Sequence, residues 1–412
     1  PTHRSAPEPS SPLLQTFSSE PSMYKIRTYN KISVKGLDRF PRQNYEVGSD
    51  IAHPDAFLLR SQKLQGIEVP PSLLAVARAG AGVNNVPVAD YGKLGIVVFN
   101  TPGANANAVK ELVMAGMLLS ARGIVDGMNY VQSLADLSDP SEMSQRLEKE
   151  KARFAGSEIR GKTLGIVGLG AIGSMVANMA LAMGMQVIGF DPVLSIDAAW
   201  RLSSDVGRME NLQALLARSD YVSLHVPAAD TTRHMINADT LATIKQGAVL
   251  LNFARDAIVD APAVLRSLDA GRLGKYVCDF PELALLGHPK VIAMPHIGAS
   301  TEESEENCAV MAANQLVNYL ENGNIVNSVN FPKVVMERRP GTARITFSNN
   351  NVPGVLGQVL SVLAESKVNV VDMMNKSRGE LAFNIIDVEH APSDDVLAAI
   401  SALAHVIRVR VI

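Results

Sequence analysis

Short apolar runs, separated by polar and helix-like segments, recur along most of the chain. In its first third they are AFLLR ending at Arg60, LLAVARAG ending at Gly80 and GIVVFN ending at Asn100. Each run is too short for a helix and is followed by turn or polar residues, a pattern typical of strands that alternate with helices. The proline-free stretch Ala108–Val131 favours a long helix.

The alternation is sharper between residues 164 and 295. Six apolar runs predict strands there: LGIVG, VIGFD, YVSLHV, AVLLNFA, KYVCDF and VIAMP. Because strands buried on both faces lack polar alternation, six such runs with helical crossovers predict a doubly wound parallel sheet. The polar stretch before them, residues 136–162, is typical of a solvated helix or spacer.

Residues 342–412 predict a separate small domain. They read as strand, helix, two strands, helix and strand, the βαββαβ order of ferredoxin-like folds. A domain of this size is expected to pair with a second copy. The amphipathic helix 306–323 and a linker over 331–341 precede it, and residues 1–22, rich in Pro and Ser, predict a flexible tail.

Composition narrows the classes of function. Lys and Arg number 38 against 41 Asp and Glu, so no basic surplus indicates a nucleic-acid or membrane partner. Cys278 and Cys308 are too few for a disulfide framework, which favours a reducing, cytoplasmic setting. No apolar run approaches the roughly 20 residues of a membrane span, the start has no signal-peptide core, and no His or Cys spacing predicts a metal site.

The segment GLGAIG is the strongest chemical motif. It follows a predicted strand and opens a predicted helix, with glycines at Gly168, Gly170 and Gly173. These glycines permit the tight turn, the approach of a pyrophosphate and close helix packing, while the helix N-terminus offers N–H groups to phosphate. Asp191 ends the next strand, where a carboxylate accepts ribose hydroxyls, and no Arg follows it in residues 192–194. The spacing therefore predicts NAD rather than NADP.

Polar residues also end three later strands of this sheet. Arg255 follows AVLLNFA, Asp279 and Glu282 follow KYVC, and His296 follows VIAMP. Hydride transfer from a 2-hydroxy acid needs a cation for the carboxylate, a base for the hydroxyl proton and a carboxylate to orient that base. Arg255, His296 and Glu282 fit these roles. His225, at the end of another strand, either lines the cofactor cleft or satisfies a loop.

Several stretches together resemble the D-2-hydroxyacid dehydrogenase family, over nearly all of residues 23–412. They are RAGAGVNNV, FNTPGANANAVKELV, GKTLGIVGLGAIG, LHVPAADTTRHMIN, LLNFARDAIVD and MPHIGASTEE. The resemblance implies an NAD-binding Rossmann domain at 123–296, inserted in a flavodoxin-like catalytic domain formed by 23–122 and 297–330.

The resemblance also implies the residues of the site. The family's catalytic Arg and His match Arg255 and His296. Its substrate contacts match Arg60, Ser61, Gly82, Val83 and Asn105, with Lys63 nearby. Its cofactor contacts match Gly168, Gly170, Ala171, Ile172, Gly173, Asp191, Phe253, Ala254, Arg255, Asp279, His296, Ile297, Gly298 and Ala299.

One departure concerns the carboxylate beside the catalytic histidine. The family usually reads Asp-Val-Phe, two residues and Glu-Pro before the His loop, whereas this chain reads CDFPELALLGHPK. Glu282 is then the nearest available carboxylate, and Asp279 remains the alternative support for His296.

The C-terminal domain resembles an ACT domain, a module that binds amino acids between paired copies. NNNVPGVLG matches its loop-to-helix signature, and Asn351 and Asn369 match two effector-binding Asn residues of serine-responsive members. Asn349 stands where those members usually carry His. The implied effector is L-serine or another amino acid, and the alternative is a module that serves dimerisation alone.

The expected activity is NAD-dependent oxidation of 3-phospho-D-glycerate to 3-phosphohydroxypyruvate, the entry to L-serine synthesis, in a cytoplasmic homodimer or homotetramer. One alternative keeps the fold and takes a glyoxylate, lactate or phosphoerythronate substrate. Another is a non-catalytic NAD-sensing regulatory protein. The presence of both Arg255 and His296 favours an enzyme.

Overall fold

A computed structural model describes residues 23–412; the tail predicted over residues 1–22 lies outside the described residues. The chain begins with five strands, β1–β5: Tyr24–Thr28, Tyr45–Gly48, Ala56–Leu59, Ala75–Arg78 and Val97–Phe99. Two short helices accompany them, α1 (Val34–Leu37) and α2 (Val88–Lys93). The strands form a parallel sheet in the order β2-β1-β3-β4-β5. This is the flavodoxin-like order, as predicted.

The uninterrupted apolar runs of this sheet follow from burial of both faces. All four residues of β3 are buried. Ala56 and Leu58 pack in a core on one face, whereas Phe57 and Leu59 pack in a second core on the other. Since side chains alternate along a strand, both sets must be apolar, which removes the polar alternation of a half-exposed strand.

A second parallel sheet carries the next part of the chain. Its seven strands are β6–β12: Thr163–Val167, Gln186–Phe190, Gly207–Arg208, Tyr221–Leu224, Ala248–Asn252, Leu273–Cys278 and Val291–Ala293. Their order is β12-β11-β10-β9-β6-β7-β8. The six predicted strands and the doubly wound sheet are confirmed. The two residues of β8 are exposed and not apolar, so no hydrophobic run predicts them.

The helices of this part, α3–α10, alternate with the strands. They are Ala106–Ala121, Ile124–Gln132, Pro140–Glu150, Ala171–Ala182, Ile196–Ala199, Leu212–Arg218, Ala238–Ala242 and Ala261–Asp269. Turns of 3₁₀-helix lie at Lys151–Phe154, Asp256–Ile258 and Leu283–Leu285. None of the helices within residues 23–412 is both long and apolar enough to cross a membrane.

The long helix predicted over Ala108–Val131 is two helices, α3 and α4, and that prediction is wrong in its continuity. Gly123 donates its N–H to the carbonyl of Phe154, and Ser157 donates to the carbonyl of Ala121. A Cβ on Gly123 would lie 3.0 Å from the Phe154 Cα. The passing segment thus pairs with the main chain where the helix would continue, a contact between distant residues that periodicity does not reveal.

Two compact units divide the chain, one formed by the described residues up to Asn105 with Glu305–Ile412, the other by Ala106–Ser304. The first predicted domain boundary, 122/123, lies after helix α3, whereas the observed unit boundary lies before it. The second, 296/297, lies before the loop that follows His296, whereas the observed boundary lies after that loop. Helix α3 belongs to the second unit because its Val113 and Met117 lie in the core of that sheet.

The first unit ends with a long helix and the small C-terminal domain. Helix α11 spans Glu302–Asn322, starting in the second unit. The domain comprises β13 (Ala343–Asn350), α12 (Val355–Glu365), β14 (Val370–Arg378), β15 (Leu381–Val388), α13 (Asp394–Ser401) and β16 (Val406–Val411). Its antiparallel sheet has the order β14-β15-β13-β16, so the βαββαβ prediction is confirmed.

Arg344 joins this sheet to the rest of the first unit. It is fully buried, and its guanidinium meets the Asp387 carboxylate through Nε at 2.7 Å and Nη2 at 2.8 Å. Its other three N–H groups donate to the carbonyls of Asn322, Met336 and Glu337 at 2.9 to 3.0 Å. All five donors are therefore satisfied, which is what a buried charge requires. The predicted linker, 331–341, is thus bound to the sheet.

Three arginines close the C-terminal end of helix α11, and we call Arg338, Arg344 and Arg410 the arginine clamp. Arg410 Nη2 donates to the carbonyls of Tyr319 and Leu320, Arg338 to that of Glu321, and Arg344 to that of Asn322. The last four carbonyls of a helix have no partner within it, and here each accepts from a clamp arginine.

Glycines make room for this docking. A Cβ on Gly92 would approach Leu381, one on Gly95 would approach Ser348, and one on Gly323 would overlap Thr346. Gly95 and Gly323 also have positive φ angles, 70° in both cases. The rest of the first unit is therefore shaped to receive the face of the C-terminal sheet that carries Thr346 and Ser348.

We expect Arg344→Met to destabilise the protein by about 3–5 kcal/mol, because it leaves the Asp387 carboxylate buried without its cation. Denaturant unfolding of the full chain measures the loss. The control is Arg339→Met, which removes an exposed ion pair with Asp372 and should cost under about 1 kcal/mol. Equal, small losses in the two variants would contradict a stabilising role for the buried pair.

Candidate active site

The predicted cofactor residues of the second unit follow the carboxyl ends of its parallel strands. The glycine loop follows β6, Asp191 follows β7, Phe253 to Arg255 follow β10, and His296 lies just beyond β12. Between β6 and β9 the strand order reverses, and ligands of such sheets bind in the crevice at this switch point. The sheet therefore gathers these residues along one edge.

The three glycines of GLGAIG have different surroundings. Gly168 has φ +91°, and a Cβ there would lie 2.7 Å from the His225 carbonyl oxygen. A Cβ on Gly173 would overlap the Gly168 carbonyl oxygen. A Cβ on Gly170 would meet no atom of the described residues within 4 Å. Packing requires the first and third glycines, whereas the second borders open space at the N-terminus of helix α6, where a pyrophosphate fits.

Asp191 is held in place by main-chain amides. Its Oδ2 accepts the N–H of Leu169 at 2.9 Å, and its Oδ1 accepts that of Val193 at 3.0 Å. Each carboxylate oxygen keeps a further lone pair for a hydroxyl donor. The side chain is thus fixed beside the glycine loop, as expected of a group that accepts ribose hydroxyls.

Asp279 anchors the loop that carries His296. Its carboxylate is buried, with Oδ1 accepting the N–H of Ile297 at 2.8 Å and Oδ2 accepting that of Gly298 at 2.7 Å. His296 has φ +56°, the left-handed region that non-glycine residues rarely adopt. A Cβ on Gly298 would lie 2.9 Å from Oδ2, so a glycine suits this contact. Asp279 therefore acts on the histidine through its main chain.

The side chains of Arg255 and His296 both contact Phe280. The rings of Phe280 and His296 are 4.4 Å apart at their centroids, and Arg255 Cζ lies 5.1 Å from the Phe280 centroid. Glu282 is exposed, and within residues 23–412 no hydrogen bond joins it to His296. No strand-end charge or glycine motif in the sequence indicates Phe280; the one sign of it is its place directly after Asp279.

Asn252 supports the backbone of Arg255. Its buried Nδ2 donates to the Arg255 carbonyl at 2.8 Å and contacts the Tyr276 hydroxyl at 3.3 Å. Neighbouring Cys278 is buried, and burial raises the pKa of its thiol to about 11. Since the thiolate is the reactive form, Cys278 is an inert packing residue at neutral pH.

His225 lies beside the glycine loop as a neutral imidazole. Its Nε2 is 2.8 Å from the Ser223 hydroxyl, and its buried Nδ1 has no hydrogen-bond partner among the described residues. Burial lowers the pKa of His225 to about 3. A base must accept a proton near neutral pH, which excludes His225 from that role.

In the first unit, the predicted substrate residues also lie at the carboxyl ends of neighbouring strands. Arg60 and Ser61 follow β3, Gly82 and Val83 come soon after β4, and Asn105 follows β5. Arg60 forms an ion pair with Glu305 at 2.7 Å, with both side chains nearly half exposed. The Oδ1 of Asn105 is buried and has no hydrogen-bond partner within residues 23–412, which leaves an acceptor for a ligand donor.

Arg78 is a second cation at this edge of the sheet, in addition to the predicted Arg60. Its Nε donates to the Arg60 carbonyl at 3.1 Å, and Asn85 Nδ2 donates to the same oxygen at 3.2 Å. Its guanidinium lies against Gly80, which has φ +155° and leaves no room for a Cβ. In the sequence, the run RAGAG indicates this residue, because it places an arginine at a strand end before two glycines.

The two predicted effector residues lie at opposite ends of the C-terminal sheet. Asn351 Nδ2 donates to the Gly379 carbonyl at the β14–β15 turn, and Asn369 Nδ2 donates to Glu389 at the other end of these strands. Strand β14 separates the two, roughly 25 Å of extended chain. Asn349 is buried and accepts from Asn384 at 2.8 Å, so it belongs to the sheet interior.

Comparison with known families places both parts of the chain. Residues 117–298 match "D-isomer specific 2-hydroxyacid dehydrogenase, NAD binding domain", and residues 343–405 match the ACT domain. The chain belongs to the D-isomer specific 2-hydroxyacid dehydrogenase family and is an NAD-dependent dehydrogenase with a C-terminal ACT domain. The predicted family, cofactor and enzyme class are confirmed.

Full-length relatives carry a more particular name. The chain is 33% identical over 427 residues to the D-3-phosphoglycerate dehydrogenase of Dictyostelium discoideum, covering 96% of this chain and 99% of the relative. It is 33% identical over 357 residues to the enzyme of that name from Haemophilus influenzae, covering 84% and 83%. Among solved structures, the TT0316 protein from Thermus thermophilus is 28% identical with a TM-score of 0.59, covering 74% of this chain and 99% of that one.

Two alanine substitutions separate the roles of the glycines. Gly173→Ala should destabilise the protein by about 1–3 kcal/mol, because its Cβ overlaps a main-chain oxygen. Gly170→Ala should change stability by less than about 0.5 kcal/mol yet weaken NADH binding at least about tenfold, or 1.4 kcal/mol. Thermal unfolding and NADH fluorescence titration measure the two effects. Unchanged NADH affinity in Gly170→Ala would show that the cofactor does not approach this glycine.

Proposed function

We propose that this chain oxidises 3-phospho-D-glycerate to 3-phosphohydroxypyruvate with NAD, the reaction that opens L-serine synthesis. The observation that carries the proposal is similarity along nearly the whole chain, C-terminal domain included, to relatives named D-3-phosphoglycerate dehydrogenase. The side chains also support the proposal, because Arg255 supplies a cation, His296 supplies a base, and both contact the Phe280 ring.

Each catalytic side chain has a role set by its chemistry. NAD, when bound, accepts the hydride that leaves the hydroxyl-bearing carbon. The Arg255 guanidinium binds the carboxylate of the acid through two parallel hydrogen bonds and orients that carbon. His296 accepts the hydroxyl proton in the oxidation and returns it in the reverse reaction. Asp279 keeps His296 in place by binding the next two amides.

The cations of the first unit suit the phosphate end of the substrate. Arg60 follows β3, Arg78 ends the adjacent strand β4, and Arg78 donates a hydrogen bond to the Arg60 carbonyl. A phosphate carries up to two negative charges, and guanidinium groups bind it with charge-assisted hydrogen bonds. Ser61, with Lys63 nearby, adds a hydroxyl donor and a further cation. This set of cationic and hydroxyl donors favours a phosphorylated acid.

A substrate panel tests the proposal. NADH formation is followed with 3-phospho-D-glycerate, D-lactate, D-glycerate and 4-phospho-D-erythronate, and NADH consumption with glyoxylate and 3-phosphohydroxypyruvate. The phosphorylated three-carbon pair should show the highest kcat/KM. A higher value for another acid would assign a different substrate within the family. NADH binding with no turnover of any acid would favour a non-catalytic NAD sensor.

Substitution of the catalytic pair gives an expected loss of turnover. His296→Asn should lower kcat roughly 10²–10⁴-fold by removing the general base. Arg255→Lys should lower kcat/KM for the acid, because a point charge does not replace a planar fork. NADH affinity should stay close to wild type in His296→Asn. The control is His390→Asn, on an exposed position of the C-terminal domain. Near-normal turnover in His296→Asn would remove this residue from the mechanism.

We also propose that the ACT domain binds L-serine and thereby lowers the dehydrogenase activity. Asn side chains can donate to a carboxylate and accept from an ammonium. Because Asn351 and Asn369 lie at opposite ends of one sheet, a site that uses both takes one from each of two copies. This proposal therefore includes a homodimer, or a homotetramer built from such pairs. Serine must bind a less active state more tightly, with a coupling of roughly 1–3 kcal/mol.

Point substitutions test this better than removal of the domain, since truncation would strip two of the clamp arginines from helix α11. Asn351→Ala and Asn369→Ala should each abolish inhibition by serine without changing NADH affinity. In a mixed dimer of the two variants, one of the two sites regains both Asn residues. Inhibition should return there in part, as measured by activity and by serine calorimetry. No serine binding to the wild-type protein would leave the module a dimerisation domain.

A further inference from the structure

The geometry points to Phe280 as a positioning residue that orients His296 and Arg255 in this enzyme. We infer that its aromatic ring does the work expected of a carboxylate beside the histidine. The inference rests on the proposed function, because it concerns the same catalytic pair. It adds a residue that neither the glycine motif nor the strand-end charges indicate.

Phe280 contacts the side chains of both His296 and Arg255. The Phe280 ring lies 4.4 Å from the His296 ring at an interplanar angle of 47°, a tilted aromatic pair. The same ring has Arg255 Cζ 5.1 Å from its centroid, within cation–π range. Two side chains that follow different strands, β10 and β12, therefore share one neighbour from the strand between them, β11.

The two nearby carboxylates of the described chain, Asp279 and Glu282, do not hydrogen-bond to the His296 imidazole. Both oxygens of Asp279 accept main-chain amides of the His296 loop. Glu282 is exposed and, in the described part of the chain, forms no hydrogen bond with His296. Within residues 23–412, neither of these carboxylates is hydrogen-bonded to the His296 imidazole, whereas the Phe280 ring contacts it.

The Phe280 ring also interacts favourably with the charge that His296 gains during the proposed reaction. When His296 accepts the substrate proton it becomes a cation, and the electron-rich face of an aromatic ring attracts cations. Phe280 therefore favours the charged histidine and the guanidinium alike, without adding a charge or a hydrogen-bond partner.

Two substitutions at one position test the inference. Phe280→Leu keeps an apolar side chain and removes the ring, whereas Phe280→Tyr keeps the ring. The leucine variant should lose kcat on the order of ten- to a hundredfold, the range expected of misplaced catalytic groups, with NADH affinity unchanged. The tyrosine variant should recover most of that kcat. Leu283→Ala, at an exposed neighbour, is the control and should match wild type.

A readout without substrate separates this inference from the proposed function. The ring current of Phe280 should shift the ¹H–¹³C signal of the His296 imidazole, assigned by its loss in His296→Asn. Phe280→Leu should move that signal, and Phe280→Tyr should leave it near its wild-type position. If wild type oxidises none of the acids while the signal behaves in this way, the proposed function fails and the positioning contact stands.

Other outcomes overturn the inference. A kcat for Phe280→Leu equal to wild type, in a variant that binds NADH normally, would show that the ring positions nothing. An equal loss in the leucine and tyrosine variants would indicate a packing role only. A loss in Glu282→Gln without one in Phe280→Leu would return the role to the carboxylate.

Discussion

The position of His296, the proposed catalytic base, depends on two hydrogen bonds to a buried carboxylate. Asp279 accepts the amides of Ile297 and Gly298, and these bonds hold the preceding histidine in a left-handed conformation. Such a conformation is costly and persists only where the surroundings fix it. Here the fixing group ends β11, a strand paired on both sides within the seven-stranded sheet. The sheet thereby holds the main chain of the His296 loop in place through Asp279.

The sequence predicts much of this enzyme because its strands and glycine loop are determined locally. Continuous apolar runs indicate strands buried on both faces, and the GLGAIG spacing indicates the cofactor loop. The support of His296 was not predictable in the same way. Asp279 and Glu282 are both acidic and both close to the end of β11, and sequence spacing does not tell which one turns inwards. Phe280 was not predictable from its residue type, because an apolar residue at a strand end usually belongs to the packed core.

Docking of the C-terminal sheet escaped prediction for a related reason. Arg344, Thr346 and Ser348 alternate with apolar residues along β13, the pattern of a strand with one solvated face. That face is buried, and Arg344 finds its partners in Asp387 and in carbonyls of a segment predicted as a linker. A polar face can therefore indicate a polar contact with another part of the chain, and composition alone does not distinguish it from a face in water.

The arginine clamp has a consequence for how this protein tolerates sequence change. Its acceptors on helix α11 are main-chain carbonyls, which every residue type supplies. The side chains at the end of that helix can therefore vary while the contact persists, whereas each arginine has no equivalent substitute. The sequence at the end of helix α11 can therefore change more freely than the clamp arginines. A C-terminal domain taken from another protein would fit only if it carried arginines at the strand positions of Arg344 and Arg410.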